Sequence, residues 1–252
     1  MKLRERISDW IRERVKAAGA DGVLVGLSGG IDSAVVAVLA QRAMGDHVLG
    51  LLLPCFSLPE DEQDGIRVAD AFKIRRERVD LSQVYEVFLR QLPEAGKMCQ
   101  VNLKPRLRMA ALYYFANRLN YLVAGTGNKS ERLMGYFTKF GDGGADLLPI
   151  GDLTKSQVRK LAEVLGIPRR IIERPPSAGL WRGQTDEEEM KIRYKDLDKI
   201  IDGLEKKKSI QHPQTQIDYV KSMMARSKHK RSTPPMFHLK SARRKGVSSR
   251  NE

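Results

Sequence analysis

Cysteine is scarce in this chain of 252 residues, where only Cys55 and Cys99 occur. They are far apart in sequence and lack the spacing of metal ligands, which argues against a disulfide framework or a zinc site. Long apolar runs are missing as well, and no stretch approaches the ~20 residues of a membrane span. The Arg- and Glu-rich residues 1–14 lack the apolar centre of a signal peptide. We therefore expect a cytoplasmic protein.

Negative charge is in short supply, because 31 acidic residues face 45 Lys and Arg for a formal charge of +14. A charge of this size by itself suggests nucleic acid as a partner. Residues 206–252, however, contain thirteen Lys and Arg against two acids, a balance of +11 that leaves only +3 for the first 205 residues. We therefore expect one domain over residues 1–231, a basic and mobile tail over residues 232–252, and neither nucleic acid nor a membrane among the partners.

A short apolar run and a Gly-rich turn organise the first part of the chain. Residues 23–27 predict a buried strand, Ser28-Gly29-Gly30 a tight turn, and residues 34–44 a helix whose free N–H groups face the turn. This arrangement binds phosphate oxygens. The turn lacks the Lys of the Walker loop and the third Gly of the dinucleotide fingerprint, so neither motif explains it. The alternative is a corner whose glycines serve only the turn.

Asp32 is unexpected in a phosphate site, because a carboxylate repels phosphate unless a divalent cation lies between them. It therefore predicts a complex of magnesium with a nucleotide. The string from Ser28 to Ser33 resembles the loop of the N-type ATP pyrophosphatases, which cleave ATP between the α- and β-phosphates and pass AMP to a substrate oxygen.

Apolar strands alternate with helices along the first half of the chain. After an amphipathic N-terminal helix and the first strand, further strands are predicted at residues 47–53, 74–81 and 121–126. The alternation is typical of an α/β fold with a doubly wound, mostly parallel sheet and helices on both faces. Ligands of such sheets bind beyond the carboxyl ends of the strands, where the Gly-rich turn and Gly125–Asn128 are both expected.

The second half contains loops as well as helices. Residues 135–149 are Gly- and Asp-rich, and residues 173–189 form a second long loop, of a length that is usually functional or disordered. Capping boxes at residues 57–60 and 154–157 predict the starts of two helices.

Four further stretches resemble the ammonia-dependent NAD synthetases, enzymes that convert deamido-NAD to NAD. Together with the Gly-rich turn they cover about residues 23–190, and His229-Lys230-Arg231 resembles the basic C-terminal element of that family. Two places depart from the family pattern, namely Lys191, where a small residue is more common, and residues 232–252. The four stretches are Lys104–Met109, Gly125–Glu131, Tyr136–Asp146 and Pro176–Glu187.

The resemblance implies an adenine nucleotide alpha-hydrolase-like fold, a homodimer and a set of site residues. Asp32 and Glu131 fall on magnesium positions, and Asp32 and Lys155 on catalytic ones. The ATP positions are Gly26, Leu27, Ser28, Gly29, Gly30, Ile31, Asp32, Ser33, Thr126, Lys155 and Ser177. The deamido-NAD positions are Arg106, Lys139, Asp146, His229 and Lys230.

These side chains also have interpretations that require no ligand. Lys155 would be an ordinary surface lysine at a helix start, and Glu131 a solvated residue of a first helical turn. Arg106 would belong to a solvated charged stripe. Lys139 and Asp146 flank a Gly-rich segment that either orders over a substrate or is merely exposed. The basic run that contains His229 and Lys230 would be a solvated face.

The activity that the resemblance implies is a ligase reaction that forms a C–N bond. ATP adenylates the nicotinate carboxylate of deamido-NAD with release of pyrophosphate, and ammonia then displaces AMP. Only about twenty residues precede the first strand, too few for an amidase domain, so we expect free ammonia as the nitrogen donor. Asp142 is a candidate acceptor for the ammonium proton, and its alternative role is to cap a loop.

Two other functions use the same features. A pyrophosphatase that transfers sulfur or lysine to tRNA would use the same loop together with the basic tail. Such enzymes commonly carry a set of catalytic or metal-binding cysteines or an added RNA-binding domain, and Cys55 and Cys99 do not form such a set. A nucleotide- or RNA-binding module would need no chemistry at all, and its positive charge would be its function.

Overall fold

The computed structural model describes residues 1–181 and 183–237. Most of the predicted tail therefore lies outside the described residues, and the domain boundary at residue 231 stays a prediction. In chain order the elements are α1 (Leu3–Ala17), β1 (Gly22–Gly26), α2 (Ile31–Met44), β2 (Val48–Leu52), α3 (Pro59–Ala71), β3 (Arg75–Arg78), α4 (Ser82–Arg90), α5 (Lys97–Val101), α6 (Leu103–Leu119), β4 (Tyr121–Ala124), α7 (Lys129–Met134), α8 (Lys155–Leu165), α9 (Arg169–Glu173), α10 (Asp186–Met190), α11 (Tyr194–Glu205), α12 (Gln214–Arg226) and α13 (Lys228–Arg231).

The four strands form one parallel sheet in the order β3-β2-β1-β4. In its register, Val23 of β1 pairs with Val48 of β2 on one side and with Leu122 of β4 on the other. From β1 the chain steps through β2 to β3 on one side and then crosses to β4 on the other side of β1. The loops after β1 and β4 therefore flank the switch point of the strand order, where a sheet of this kind has its ligand crevice. This confirms the predicted parallel sheet.

Alternate residues of β1 face two different apolar cores. Val23 and Val25 pack in a core with α1, α2 and α8, whereas Leu24 packs on the other face with α4 and α6. All three side chains are fully buried. Burial on both faces explains why β1 reads as a continuous apolar run and confirms the prediction of helices on both faces.

A third apolar cluster lies beside the sheet, among α7, α11 and α12. Its core contains Met134, Tyr194, Leu197 and Val220, which are at most 2% exposed. This cluster fixes α7 against the C-terminal helices, and α7 carries one of the predicted site residues, Glu131.

The N-terminal helix and β3 are both present, but each differs in detail from its prediction. On the apolar side of the amphipathic helix α1, Ile11 and Val15 are buried in the core, whereas Leu3 and Trp10 are 42% and 37% exposed. The third strand is shorter than the predicted 74–81, because only Arg75–Arg78 pair with β2 and all four are exposed. The apolar ends of the predicted run, Ile74 and Leu81, are instead buried just outside the strand.

Both predicted helices are present, but only one of the two predicted capping boxes forms. At residues 57–60 the helix begins at Pro59, and Leu58 precedes it without a side-chain cap. The Ser57 hydroxyl instead accepts hydrogen bonds from Cys55 N and Arg108 Nη2. At residues 154–157 the capping box forms, and Thr154 N donates to Gln157 Oε1 at 2.9 Å.

The backbone conformation at Lys191 explains why a small residue is more common at this position in the family. It follows the last turn of α10 with a φ of 53°, in the left-handed region that favours Gly. In the part of the chain that the structure describes, no helix is both long and apolar enough to cross a membrane.

Candidate active site

The Gly-rich turn joins β1 to α2 at the carboxyl edge of the sheet. Gly29 has a φ of +77°, and a Cβ there would lie 2.2 Å from the carbonyl oxygen of Asp61 in α3. The position therefore requires Gly both for its conformation and for this close approach. The hydroxyls of Ser28 and Ser33 lie 3.0 Å apart, and Ser33 Oγ also donates to the carbonyl of Gly30 at 2.9 Å. The first N–H groups of α2 point toward this turn, as an anion site requires.

Lys155 lies at the centre of the charged cluster behind this turn. Its ammonium is 2.5 Å from Asp32 Oδ2 and 3.0 Å from Glu131 Oε1, and its side chain is only 2% exposed. The three residues come from the first turns of α2, α7 and α8. The structure thus brings together three of the predicted site residues, although Lys155 lies 123 positions after Asp32 and 24 positions after Glu131.

Asn128 links the two loops of the crevice. It precedes α7, where its side-chain oxygen accepts from Glu131 N at 3.0 Å, while its Nδ2 donates to Asp32 Oδ1 at 3.0 Å. One amide thereby caps a helix and orients the carboxylate of the other loop. Asn128 belongs to the Gly125–Glu131 motif, but sequence reasoning assigned it no role, and the signal that could have found it is its position three residues before Glu131.

Tyr194 and Asp186 complete the cluster, and neither was predicted. The Tyr194 hydroxyl lies 2.8 Å from Asp186 Oδ2 and 3.2 Å from Glu131 Oε1, so its one proton serves two carboxylates. Asp186 is 3% exposed, and its other oxygen is buried without a hydrogen-bond partner among the described residues. A buried Asp in a polar stretch carries no periodic signal, so only the tertiary structure identifies it.

Burial and mutual charge shift the protonation of these groups. Burial raises the pKa of Glu131 to about 7; Lys155 acts in the opposite direction, whereas the carboxylate of Asp32 adds to the increase. Burial alone would lower the pKa of Lys155, but Asp32 and Glu131 raise it above its ordinary value. Burial also raises the pKa of Asp186. One ammonium therefore faces three carboxyl groups, and the raised pKa of two of them shows that the site lacks the positive charge to keep all three ionised. A bound cation would supply that charge.

The donor set fits magnesium bound together with phosphate. Within residues 1–181 and 183–237, no group of three or more acidic, His or Cys side chains is close enough to hold a metal by itself. Asp32 and Glu131 nevertheless present two carboxylates at one ammonium. Magnesium is typically held by one or two carboxylates plus the phosphates of a substrate.

The other predicted ATP positions border the crevice. Thr126 is half-buried just beyond β4, the strand next to β1. Ser177 is exposed, and its hydroxyl accepts from Gly179 N at 3.1 Å. In the described part of the chain, neither side chain forms a hydrogen bond with Asp32, Glu131 or Lys155.

The predicted deamido-NAD positions form two groups. Lys139 Nζ donates to the carbonyl of His229 at 2.9 Å, and Lys230 Nζ donates to the carbonyls of Gly135 and Phe137 at 2.8 and 2.9 Å. The basic run is therefore not simply a solvated face, because it holds the start of the 135–149 loop.

The remaining two positions lie near α6. Arg106 is exposed on this helix. Asp146 accepts from Val123 N at 2.8 Å and from the Tyr113 hydroxyl at 3.0 Å, which fastens the end of the loop to β4 and α6.

Asp142 shows the capping role that was its alternative. Its Oδ1 accepts a hydrogen bond from Thr138 N at 2.9 Å, within the same loop. Its role as a proton acceptor stays a prediction.

The chain matches one protein family over nearly its whole length. The model of the NAD synthase family matches residues 3–234. The chain is 48% identical over 235 residues to an NH(3)-dependent NAD(+) synthetase of Carboxydothermus hydrogenoformans, covering 91% of this chain and 94% of the relative. It is 49% identical over 242 residues to the protein of the same name from Archaeoglobus fulgidus, covering 95% and 97%.

Among solved structures, the chain resembles one described as an NMN synthetase from Francisella tularensis. The TM-score is 0.88 at 37% identity, and the match covers 94% of this chain and 98% of that one. The relatives therefore share the fold and the family but differ in the product that their names state.

Proposed function

The chain belongs to the NAD synthase family, and from this premise we propose that it makes NAD from deamido-NAD and free ammonia with ATP as co-substrate. It is a ligase that forms a C–N bond. The observation that carries the proposal is the cluster of Asp32, Glu131 and Lys155 directly behind the Gly-rich turn. A phosphate site with an adjacent excess of carboxylates suits a nucleotide that arrives with its cation.

The first half of the reaction activates a carboxylate. A nicotinate carboxylate oxygen attacks the α-phosphorus of ATP, the bond from that phosphorus to the bridging oxygen breaks, and pyrophosphate leaves. The N–H groups of α2 and the turn residues Gly26–Ser33 bind the phosphates. Lys155, already the one ammonium of the cluster, stabilises the negative charge that grows on the departing pyrophosphate.

Magnesium, held by Asp32 and Glu131, would neutralise triphosphate charge that these carboxylates alone repel. Tyr194 and Asn128 keep the two carboxylates oriented toward the crevice. In the second half, ammonia forms a bond to the acyl carbon, AMP leaves with its electron pair, and the extra proton of the nitrogen passes to a base. No covalent bond to the protein is needed.

The 135–149 loop and the basic run form the proposed deamido-NAD side of the crevice. Arg106 is exposed and available to a phosphate, and Lys139 needs only to leave the carbonyl of His229 to reach one. Asp146 and Lys230 hold the loop at its two ends. These roles rest on the family resemblance together with the contacts of the loop.

We further propose that the protein works as a homodimer in the cytoplasm. The apolar face of α4 supports a second copy as the occupant, because Val84, Val87 and Phe88 are 51%, 54% and 45% exposed on one short helix. The free thiols of Cys55 and Cys99 are compatible with a reducing compartment. Sedimentation should give a dimer at micromolar protein and a monomer after Val87→Asp, and a monomeric parent would exclude the dimer.

A second product is favoured by one specific finding, the likeness to the NMN synthetase structure. Nicotinic acid mononucleotide carries the same nicotinate carboxylate as deamido-NAD but lacks the second nucleotide. The two substrates therefore differ only in contacts away from the reacting carboxylate, and the cluster around Lys155 serves either of them.

The test is an assay of the purified chain with ATP, magnesium and ammonium. Deamido-NAD, nicotinic acid mononucleotide and tRNA are compared as acceptors, with pyrophosphate and the amide product both measured. We expect NAD from deamido-NAD at the highest kcat/KM and little product with glutamine. A higher kcat/KM with nicotinic acid mononucleotide would make the second product, NMN, the main one. Pyrophosphate release only with tRNA would overturn the proposal.

A further inference from the structure

Lys104 is a buried charge that the reaction above does not use. It lies in the first turn of α6 and is only 7% exposed. Its ammonium is 5.6 Å from the centre of the Tyr85 ring and 5.8 Å from that of Phe56. Burial lowers the pKa of Lys104, and no carboxylate of the described chain forms an ion pair with it. Burying an ammonium without a carboxylate costs free energy, so the hydrogen bond that it does form indicates its role.

That contact is a hydrogen bond across the crevice. Lys104 Nζ donates to the carbonyl oxygen of Leu180 at 3.0 Å, although the two residues are 76 positions apart. Leu180 lies in residues 176–181, which we name the bridging segment. Lys97 Nζ also lies 4.3 Å from the centre of the Trp181 ring. The bridging segment is thereby attached to α5 and α6 by two cations.

The bridging segment runs beside the phosphate turn. A Cβ at Gly179 would lie 3.6 Å from Asp61 Oδ2, and the carbonyl of the same Asp61 is the group that closes on Gly29. The base of the segment is closed by a hydrogen bond of 3.1 Å from Asp186 N to the carbonyl of Pro176. The segment therefore connects the turn at Gly29 with the Lys155 cluster, and it carries Ser177.

We propose that Lys104 is a positioning residue for ATP, whose ammonium holds the bridging segment against α6 so that Ser177 faces the nucleotide. Three features of the geometry require this bond rather than mere packing. Within the described residues the ammonium has no anionic partner, its hydrogen bond ends on backbone that no substitution of Leu180 removes, and the aromatic rings beneath it fix its position. The effect on ATP rests on the function proposed above, whereas the attachment of the segment does not.

The experiment uses tryptophan fluorescence, because Trp10 and Trp181 are the two tryptophans of the chain. In a Trp10→Phe background, acrylamide quenching reports on the bridging segment alone. Two substitutions are made in this Trp10→Phe parent. Lys104→Met keeps the apolar stem of the side chain but loses the hydrogen-bond donor, and Lys104→Arg keeps a cationic donor. Arg118→Met removes a cation from the exposed far end of the same helix and serves as the matched control.

We expect Lys104→Met to raise the quenching constant of Trp181 and to raise the KM for ATP about tenfold, the loss typical of a hydrogen bond from a charged group, with little change in kcat. Lys104→Arg should recover most of both effects, and Arg118→Met should show neither. The melting temperature of Lys104→Met should be equal to or above that of the parent, since a buried charge has been removed.

Unchanged quenching in folded Lys104→Met, or an equal rise in Arg118→Met, would overturn the proposal. Lys104→Gln, which is neutral and can still donate, provides a second variant if Lys104→Met does not fold. If the parent makes no NAD, the proposed function fails while the quenching comparison still decides whether Lys104 holds the segment.

Discussion

Lys155 is buried and Lys230 is partly buried, and the groups that surround the two ammonium groups differ. The Lys155 ammonium contacts the carboxylates of Asp32 and Glu131, which raise its pKa despite the opposing effect of burial. The Lys230 ammonium contacts the backbone carbonyls of Gly135 and Phe137, and burial lowers its pKa although Asp142 acts the other way.

The partners of the two ammonium groups indicate two different roles, one in the reaction and one in positioning a loop. An ammonium shared by carboxylates sits in a site whose charge can be redistributed when a phosphate or a cation arrives. An ammonium bound to carbonyl oxygens has no charge partner to exchange and instead fixes the backbone that carries those carbonyls. We therefore propose that the Lys155 cluster serves adenylation and that Lys230 on α13 holds the shape of the 135–149 loop.

The largest effect should come from Asp32→Asn and Glu131→Gln, which remove charge from the Lys155 cluster. We expect either change to lower kcat for pyrophosphate release by about 100- to 1000-fold, the range seen when a transition-state electrostatic contact is lost. Glu163→Gln, an exposed acid on α8, is the matched control and should stay near the parent. Near-normal release by either variant at limiting magnesium would remove the metal assignment.

Lys230→Met tests the positioning half of the comparison. Loss of two hydrogen bonds to the loop should raise the KM for deamido-NAD about tenfold while the KM for ATP changes little. Lys228→Met, an exposed neighbour on α13, is the control. Steady-state kinetics with each substrate varied in turn would show the split, and equal loss for both substrates would contradict it.

The pH dependence sharpens the comparison further. The pKa of Glu131 is raised to about 7, so below that pH the ligand-free carboxyl holds a proton that a cation must displace. The magnesium concentration for half-maximal activity should therefore fall as pH rises, by about threefold between pH 6.5 and pH 7.5. Lys230→Met should keep this trend. A magnesium requirement that is flat or rises with pH would refute the assignment.

The smallest expected effect concerns Lys191, which lies between the two regions in sequence and adopts a left-handed backbone. Lys191→Gly should raise the free energy of unfolding by about 0.5–1 kcal/mol because the strain is relieved, with kcat unchanged. The control Lys199→Gly, at an exposed position inside α11, should instead lower it by about 1 kcal/mol. Urea denaturation of the three proteins would measure both.

The sequence by itself determined the parallel sheet and the position of the phosphate turn. The apolar runs of β1, β2 and β4 are buried on both faces and so appear as continuous signals, and Ser28–Asp32 is a local motif whose residues are adjacent in the chain. β3 was overextended, because the apolar residues at its ends are buried outside the ladder. The helix predicted after Ser57 is present, but its capping box is wrong, because the Ser57 hydroxyl accepts a hydrogen bond from Arg108 instead.

Only the tertiary structure decided which polar side chains meet. Asn128, Asp186 and Tyr194 join Asp32 and Glu131 around one buried ammonium, and Lys104 reaches Leu180 across the crevice. A polar residue leaves no periodic mark when its partner is a hundred positions away, since its burial is stabilised by that partner and not by its neighbours in the chain. Local sequence patterns therefore determined the sheet and the phosphate turn, and long-range packing determined which charged side chains meet beside them.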